Sequence, residues 1–321
     1  MIIVLALSFG SVILGYVVQR AVVPRGDGSD ASQDRIASVA KWIKLVTLAG
    51  LLPWPILFTF WRLESVSPHF AVIPLLGLLS LAVGGTSALV LIRLMRLDPR
   101  KAGAFYACGM MTNLGVVGGL IGIMFFGPDG FLTVQLFTMF EVFTYYLVVF
   151  PLSQQIGAGG GGRFRFDPRL ILSKPMSLIP ISSIVLGLVL RGLGVPAPTF
   201  LDVLSRIIVP VITGTIGFSI GLTLRVSRLR RYRREAALIA AIKFLAIPAV
   251  VIPAAYALGL PGLLGGVAFK MVVFLSFGPV ALIAMVPPQL YDLDLDLANS
   301  GWLVTTVGHL IIIPILILIV I

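Results

Sequence analysis

The sequence predicts an all-α membrane protein of ten transmembrane helices, arranged as two halves of five that lie in the bilayer in opposite orientations. Three observations carry this expectation. Apolar residues make up 58% of the 321-residue chain and charged residues only 12%, a balance that an ordinary water-soluble surface does not have. Runs of the roughly 20 mostly apolar residues that a spanning helix needs occur at 2–23, 38–61, 70–95, 102–126, 130–153, 170–193, 198–224, 236–259, 262–287 and 297–321. Basic residues, finally, gather on alternate connections between those runs.

Span 1 opens MIIVLALSFGSVILGYVV, with no basic residue ahead of the apolar stretch and no A-x-A-like site, so it reads as a retained helix and not as a signal peptide. The first loop carries Arg20, Arg25, Arg35, Lys41 and Lys44, the third Arg93, Arg96, Arg100 and Lys101, and the fifth Arg163, Arg165, Arg169 and Lys174. The seventh adds Arg225, Arg228, Arg230, Arg231, Arg233 and Arg234, which makes nineteen on odd loops against Arg62, Arg191 and Arg206 on even ones. By the positive-inside rule the odd loops are cytoplasmic and both termini face outward. The formal charge of +11 is therefore a matter of topology and of attraction to anionic lipids, above all at 225–235, and not of nucleic-acid binding.

Spans 4 and 9 differ from the rest. Within span 4, residues 104–126 hold Asn113 and five glycines, and span 9 places Gly278 beside Pro279; both compositions predict broken helices. Between spans 5 and 6, GAGGGGRFRFDPR at 157–169 reads as a flexible cytoplasmic joint, dividing the chain into repeats at 1–156 and 170–321. SVILGYVVQRAVVP at 11–24 overlies SIVLGLVLRGLGVP at 183–196 at a constant offset of 172, with six matches in fourteen. Because five is odd, two such repeats in one chain have inverted topology, an architecture of secondary transporters.

Composition and motifs exclude several other functions. Cys108 is the only cysteine, so no intrachain disulfide or cysteine-based metal cluster forms. No Walker A loop is present, against ATP-driven transport. GFSIG at 217–221 matches the nucleophile-elbow string, but inside an apolar helix, where packing of small residues is the better reading. DLDLD at 292–296 lacks the glycine and spaced glutamate of a calcium loop and reads as a solvated cytoplasmic segment. Neither a cofactor nor a metal site is expected.

In inverted-repeat transporters the substrate sits near the midplane, where broken helices present free backbone groups. The candidate substrate-binding residues are accordingly Asn113, Gly115 and Gly118 in span 4, and Ser276, Gly278, Pro279 and Lys270 in span 9. Ionisable residues at depth are costly unless paired or near water. Glu141 and His309 are candidate coupling residues, and Lys270 is a candidate partner for an anionic substrate. Lys243, about seven residues from the start of span 8, reads as snorkelling to the interface.

Taken together, LGYVVQR in span 1, NLGVVGG in span 4, DPRLILSKP entering span 6, PVITGTIGFSIGLTL in span 7, AAIKFLAIP in span 8, FGPVALIAM in span 9 and SGWLVTTVGHLIIIP in span 10 resemble the auxin efflux carrier family. That family includes the plant auxin carriers and bacterial dicarboxylate carriers. The resemblance covers nearly the whole chain. It implies a bile-acid-symporter-like fold in which broken helices 4 and 9 cross and an organic anion is moved by alternating access. Spans 3–5 and 8–10 would form the moving bundle, and spans 1, 2, 6 and 7 a scaffold offering a homodimer surface. The family's N-x-G-x-x-G-x-P is matched by Asn113, Gly115 and Gly118, but Leu120 stands where proline is usual, so the break in span 4 would be softer or would depend on its glycines. Coupling to a proton or to sodium stays open, as do a sodium-coupled bile-acid-type symporter and a membrane sensor without turnover. The expected location is a bacterial inner membrane.

Overall fold

The computed structural model describes residues 2–22, 29–51, 53–61, 70–159, 175–198, 200–223 and 229–321. These residues are almost wholly helical. The amino-terminal part holds α1 (Ile2–Val22), α2 (Ser29–Val46) and α3 (Pro53–Trp61), the last two flanking a π-helical turn at Thr47–Leu51. There follow α4 (Val72–Met95), α5 (Pro99–Met110), α6 (Gly115–Phe137), α7 (Glu141–Thr144) and α8 (Phe150–Gly157). The second half holds α9 (Pro175–Gly192), α10 (Phe200–Thr223), α11 (Arg233–Ala241), α12 (Ile247–Ala257), α13 (Val267–Ser276), α14 (Val286–Leu290) and α15 (Leu295–Val320). Most of the joint expected at 157–169 lies outside the described residues.

Local sequence accounts for most of the boundaries. Pro99 sits in the first turn of α5, where its missing N–H costs nothing. Asp294 caps α15, its side chain accepting from the Leu297 N–H at 3.0 Å. The π-helical turns at Tyr145–Val149 and Ile242–Ala246 run directly into Phe150-Pro151 and Ile247-Pro248. A proline removes a donor and its ring crowds the carbonyl four residues earlier, and one widened turn relieves both while the helix continues. Gly127, at φ 62° and ψ −145°, breaks α6 in two, and a new apolar stretch begins at Asp129.

Four helical stretches among the described residues are long and apolar enough to cross a bilayer: Val72–Met95, Asp129–Gly157, Arg233–Ala257 and Leu295–Val320. They coincide with expected spans 3, 5, 8 and 10. Spans 4 and 9 are not continuous helices. Large apolar side chains such as Leu75, Leu245, Ile311 and Leu318 are exposed, as suits a surface solvated by lipid tails.

The chain divides into two compact units, residues 1–65 with 165–224, and residues 66–164 with 225–321. In the first, α1 packs on α10 with its backbone pressed close: a Cβ on Gly15 would run into the Phe218 carbonyl, and one on Gly221 into that of Val12. Gly187 of α9 does the same against Leu57 of α3, at 2.7 Å. Ser219, the serine of the GFSIG string, lies buried inside α10 and donates to the Ala40 carbonyl at 2.6 Å. It is a helix-packing residue with no strand-turn-helix around it.

The second unit comprises α4 to α8 and α11 to α15. One of its ends is clasped by polar contacts. Arg100 donates from Nε to the Asp292 carbonyl at 2.7 Å and pairs with the Asp292 carboxylate at 2.8 Å, while the Asp294 N–H returns to the Arg100 carbonyl at 3.1 Å. Tyr232, ahead of α11, donates to Asp294 Oδ2 at 2.8 Å. Burial, the hydrogen bond and the Asp294 charge push the Tyr232 hydroxyl up to about 12, so it stays a donor at neutral pH. The DLDLD segment is therefore not simply solvated: its first two aspartates tie α5, α11 and α15 together.

Candidate functional site at the paired helix breaks

Helix α5 stops at Met110 and α6 starts at Gly115, so residues 111–114 form an unwound link inside span 4. Span 9 is unwound likewise between Ser276, the last residue of α13, and the short 3₁₀ turn at Leu282–Met285. The two links pair with each other. Thr112 and Val280 form an antiparallel bridge, the Asn113 N–H donates to the Pro279 carbonyl at 2.8 Å, and the Ala281 N–H donates to the Met111 carbonyl at 3.2 Å. Backbone groups that would be intolerable in hydrocarbon thus satisfy one another within the protein. Gly278 permits the approach, since a Cβ there would lie 2.6 Å from Thr112 Cγ2 and 2.7 Å from Leu114 Cδ2.

The glycines of span 4 have another role than the one expected. The break falls ahead of them, and Gly115 and Gly118 lie on the helix that follows it. A Cβ on Gly118 would collide with Leu275, so this glycine sets the close packing of α6 on α13. The link needs neither proline nor glycine of its own, because its geometry is held by pairing with residues 279–281.

Thr112 is the hub. Its Oγ1 accepts a hydrogen bond from Lys243 Nζ at 2.7 Å, and its backbone N–H donates to the Tyr145 hydroxyl at 2.9 Å. The single Tyr145 proton has two acceptors, the Thr112 carbonyl at 2.9 Å and Glu141 Oε1 in close contact. Lys243 is 0% exposed. The snorkelling expected of it does not occur: the π-helical turn that contains Lys243 turns its side chain inward, where Nζ bonds Thr112.

The other expected residues are distributed as follows. Asn113 is half-buried beside the bridge, and its side-chain amide has no hydrogen-bond partner among the described residues. Ser276 is buried and donates to the Val272 carbonyl at 2.7 Å. Lys270 lies on α13 almost two turns before the break, half-buried, with no hydrogen bond or ion pair among the described residues. His309, buried on α15, bonds the Phe277 carbonyl through Nδ1 at 2.8 Å, which leaves Nε2 as a buried acceptor without a partner among the described residues. On the same helix Thr305 Oγ1 accepts from the Val280 N–H at 3.1 Å. Thr112, Tyr145 and Thr305 were not foreseen. Only the AIKF string around Lys243 offered a signal, as a charge embedded in an apolar run.

A helical integral membrane protein whose interrupted helices meet over a buried lysine is the class that this fold and site define. No protein-family model matches the sequence. The chain is similar to an uncharacterized transporter of Methanothermobacter thermautotrophicus, 26% identical over 279 residues, which cover 86% of this chain and 87% of that protein. Likeness along most of both chains supports a transporter at a coarse level and speaks against an enzyme. It does not single out the auxin efflux carriers.

Proposed function

We propose that the chain is a secondary carrier for a small organic anion, such as a carboxylate or an auxin-like acid, bound at the paired helix breaks and exchanged between the membrane faces by alternating access. The observation that carries this reading is the fully buried Lys243 hydrogen-bonded to Thr112, where both helices are unwound. A cation at such depth is retained for function, because its burial is costly. The open amide of Asn113, the close approach at Gly278 and Pro279, Ser276, and the glycines Gly115 and Gly118 would shape the anion site, with Lys270 as a second cation along α13. Glu141 and His309 are the groups proposed for coupling, to a proton or to sodium.

The division into units supports an elevator-type movement. The second unit holds the helices that the family resemblance assigns to the mobile bundle, and the first holds those assigned to the scaffold. Uptake of a panel of labelled carboxylates into proteoliposomes, with and without proton and sodium gradients, tests the reading. No uptake by folded protein under any gradient would sink it. Uptake that required sodium would favour a bile-acid-type symporter, and binding without turnover a sensor.

Two further results are expected. Asn113→Ala should lose uptake while melting like the parent, since the substitution removes a side chain with no hydrogen bond among the described residues and leaves the residue 113 N–H on Pro279; unchanged uptake would move the site elsewhere. Accessibility reporters at Gly160 and Arg230 should be cytoplasmic and a tag after Ile321 external, as the loop bias requires. A carboxy-terminal tag reached only from the cytoplasm would remove the two-times-five arrangement.

A further inference from the structure

We infer that anion binding at the helix breaks is linked to protonation of Glu141, because both the Glu141 carboxylate and the anion neutralise the one buried ammonium of Lys243. The inference rests on the carrier reading and names its coupling ion. Lys243 and Glu141 converge on a single residue: Lys243 bonds the Thr112 side chain, and Glu141 reaches the Thr112 backbone through the Tyr145 hydroxyl. Glu141 and Cys108 are the ionisable groups that interact with Lys243, and of the two only Glu141 is a carboxylate; Cys108 is a buried thiol facing the Ala298 carbonyl. The neighbouring elements add Tyr106 on α5, bonded to Met110, Tyr146 beside Tyr145, and His309 on α15, bonded to Phe277. None of these supplies a second carboxylate.

The charge balance then decides what the site accepts. With Glu141 ionised, the pair is neutral, and an arriving carboxylate would leave a net negative charge in a medium that tolerates none. With a proton on Glu141, the ammonium stands alone and a carboxylate restores neutrality. One proton and one monovalent anion enter together, leave together, and carry no net charge across. Tyr145 passes the state of Glu141 to the break. An ionised Glu141 takes the Tyr145 proton as a hydrogen bond, whereas a protonated Glu141 donates to the Tyr145 oxygen and turns that proton toward the Thr112 carbonyl, on the residue that bridges Val280. Lys243 acts through its charge and does not touch the anion.

Calorimetric titration of the purified full chain with indole-3-acetate and with lactate, in buffers of differing ionisation heat, reads the proton count directly. About one proton should be taken up per anion bound, and affinity should fall as pH rises, since linkage between two ligands is reciprocal. Glu141→Gln should bind either anion with no proton uptake and with pH-independent affinity. Lys243→Met should weaken binding on the order of tenfold or more; if it does not fold, the Glu141→Gln titrations decide alone. Anion binding to the parent without proton uptake, or unchanged pH dependence in Glu141→Gln, overturns the linkage and leaves the carrier reading standing. No binding of either anion to the parent overturns the carboxylate reading and the linkage with it.

Discussion

Thr112→Val should destabilise the protein by about 2–3 kcal/mol, the cost of removing a buried hydrogen bond to a charged group. Valine has the shape of threonine but offers no acceptor, and Thr112 Oγ1 is the atom that Lys243 Nζ bonds inside the unit. The backbone bonds of residue 112 to Tyr145 survive the substitution, so the loss reports the hydroxyl and not a collapse of the link. A fall in melting temperature in detergent of about 5–10 °C is the expected readout, and Thr112→Ser, which restores the oxygen, should recover most of it. A Thr112→Val protein that melted like the parent would mean that the ammonium does not depend on this bond.

Gly278→Leu should reduce uptake to that of empty liposomes. A side chain at 278 begins 2.6 Å from Thr112 Cγ2 and 2.7 Å from Leu114 Cδ2; the Leu114 tip can rotate away, but Thr112 is held by its bond from Lys243 and its bridge to Val280. The two segments must part, losing the Asn113–Pro279 and Ala281–Met111 hydrogen bonds at about 1 kcal/mol each in addition to an overpacking strain of about 1–3 kcal/mol. Gly119→Ala is the internal control: its Cβ would meet only Phe131, at 3.9 Å, and should shift stability by no more than about 0.5 kcal/mol. Full uptake by Gly278→Leu would show that the pairing of the breaks is dispensable.

Both predictions concern contacts between residues more than 130 positions apart in sequence, and this separates what the sequence determined from what it left to the tertiary structure. A spanning helix is a local object, specified by twenty or so consecutive apolar residues, and the helices at Val72–Met95, Asp129–Gly157, Arg233–Ala257 and Leu295–Val320 were legible within a few residues. That spans 4 and 9 are interrupted was legible too, from glycine and proline content. Where span 4 is interrupted was not. Residues 111–114 unwind because their backbone groups find partners at 279–281, a pairing that no window of neighbouring residues records. Lys243 misled for the same reason. Its place near the start of an apolar run suggests snorkelling, whereas its fate is settled by a π-helical turn and by an acceptor on Thr112 from another part of the chain. Hydropathy by itself determined which segments leave water; only packing decided which polar atoms, once out of water, would satisfy one another.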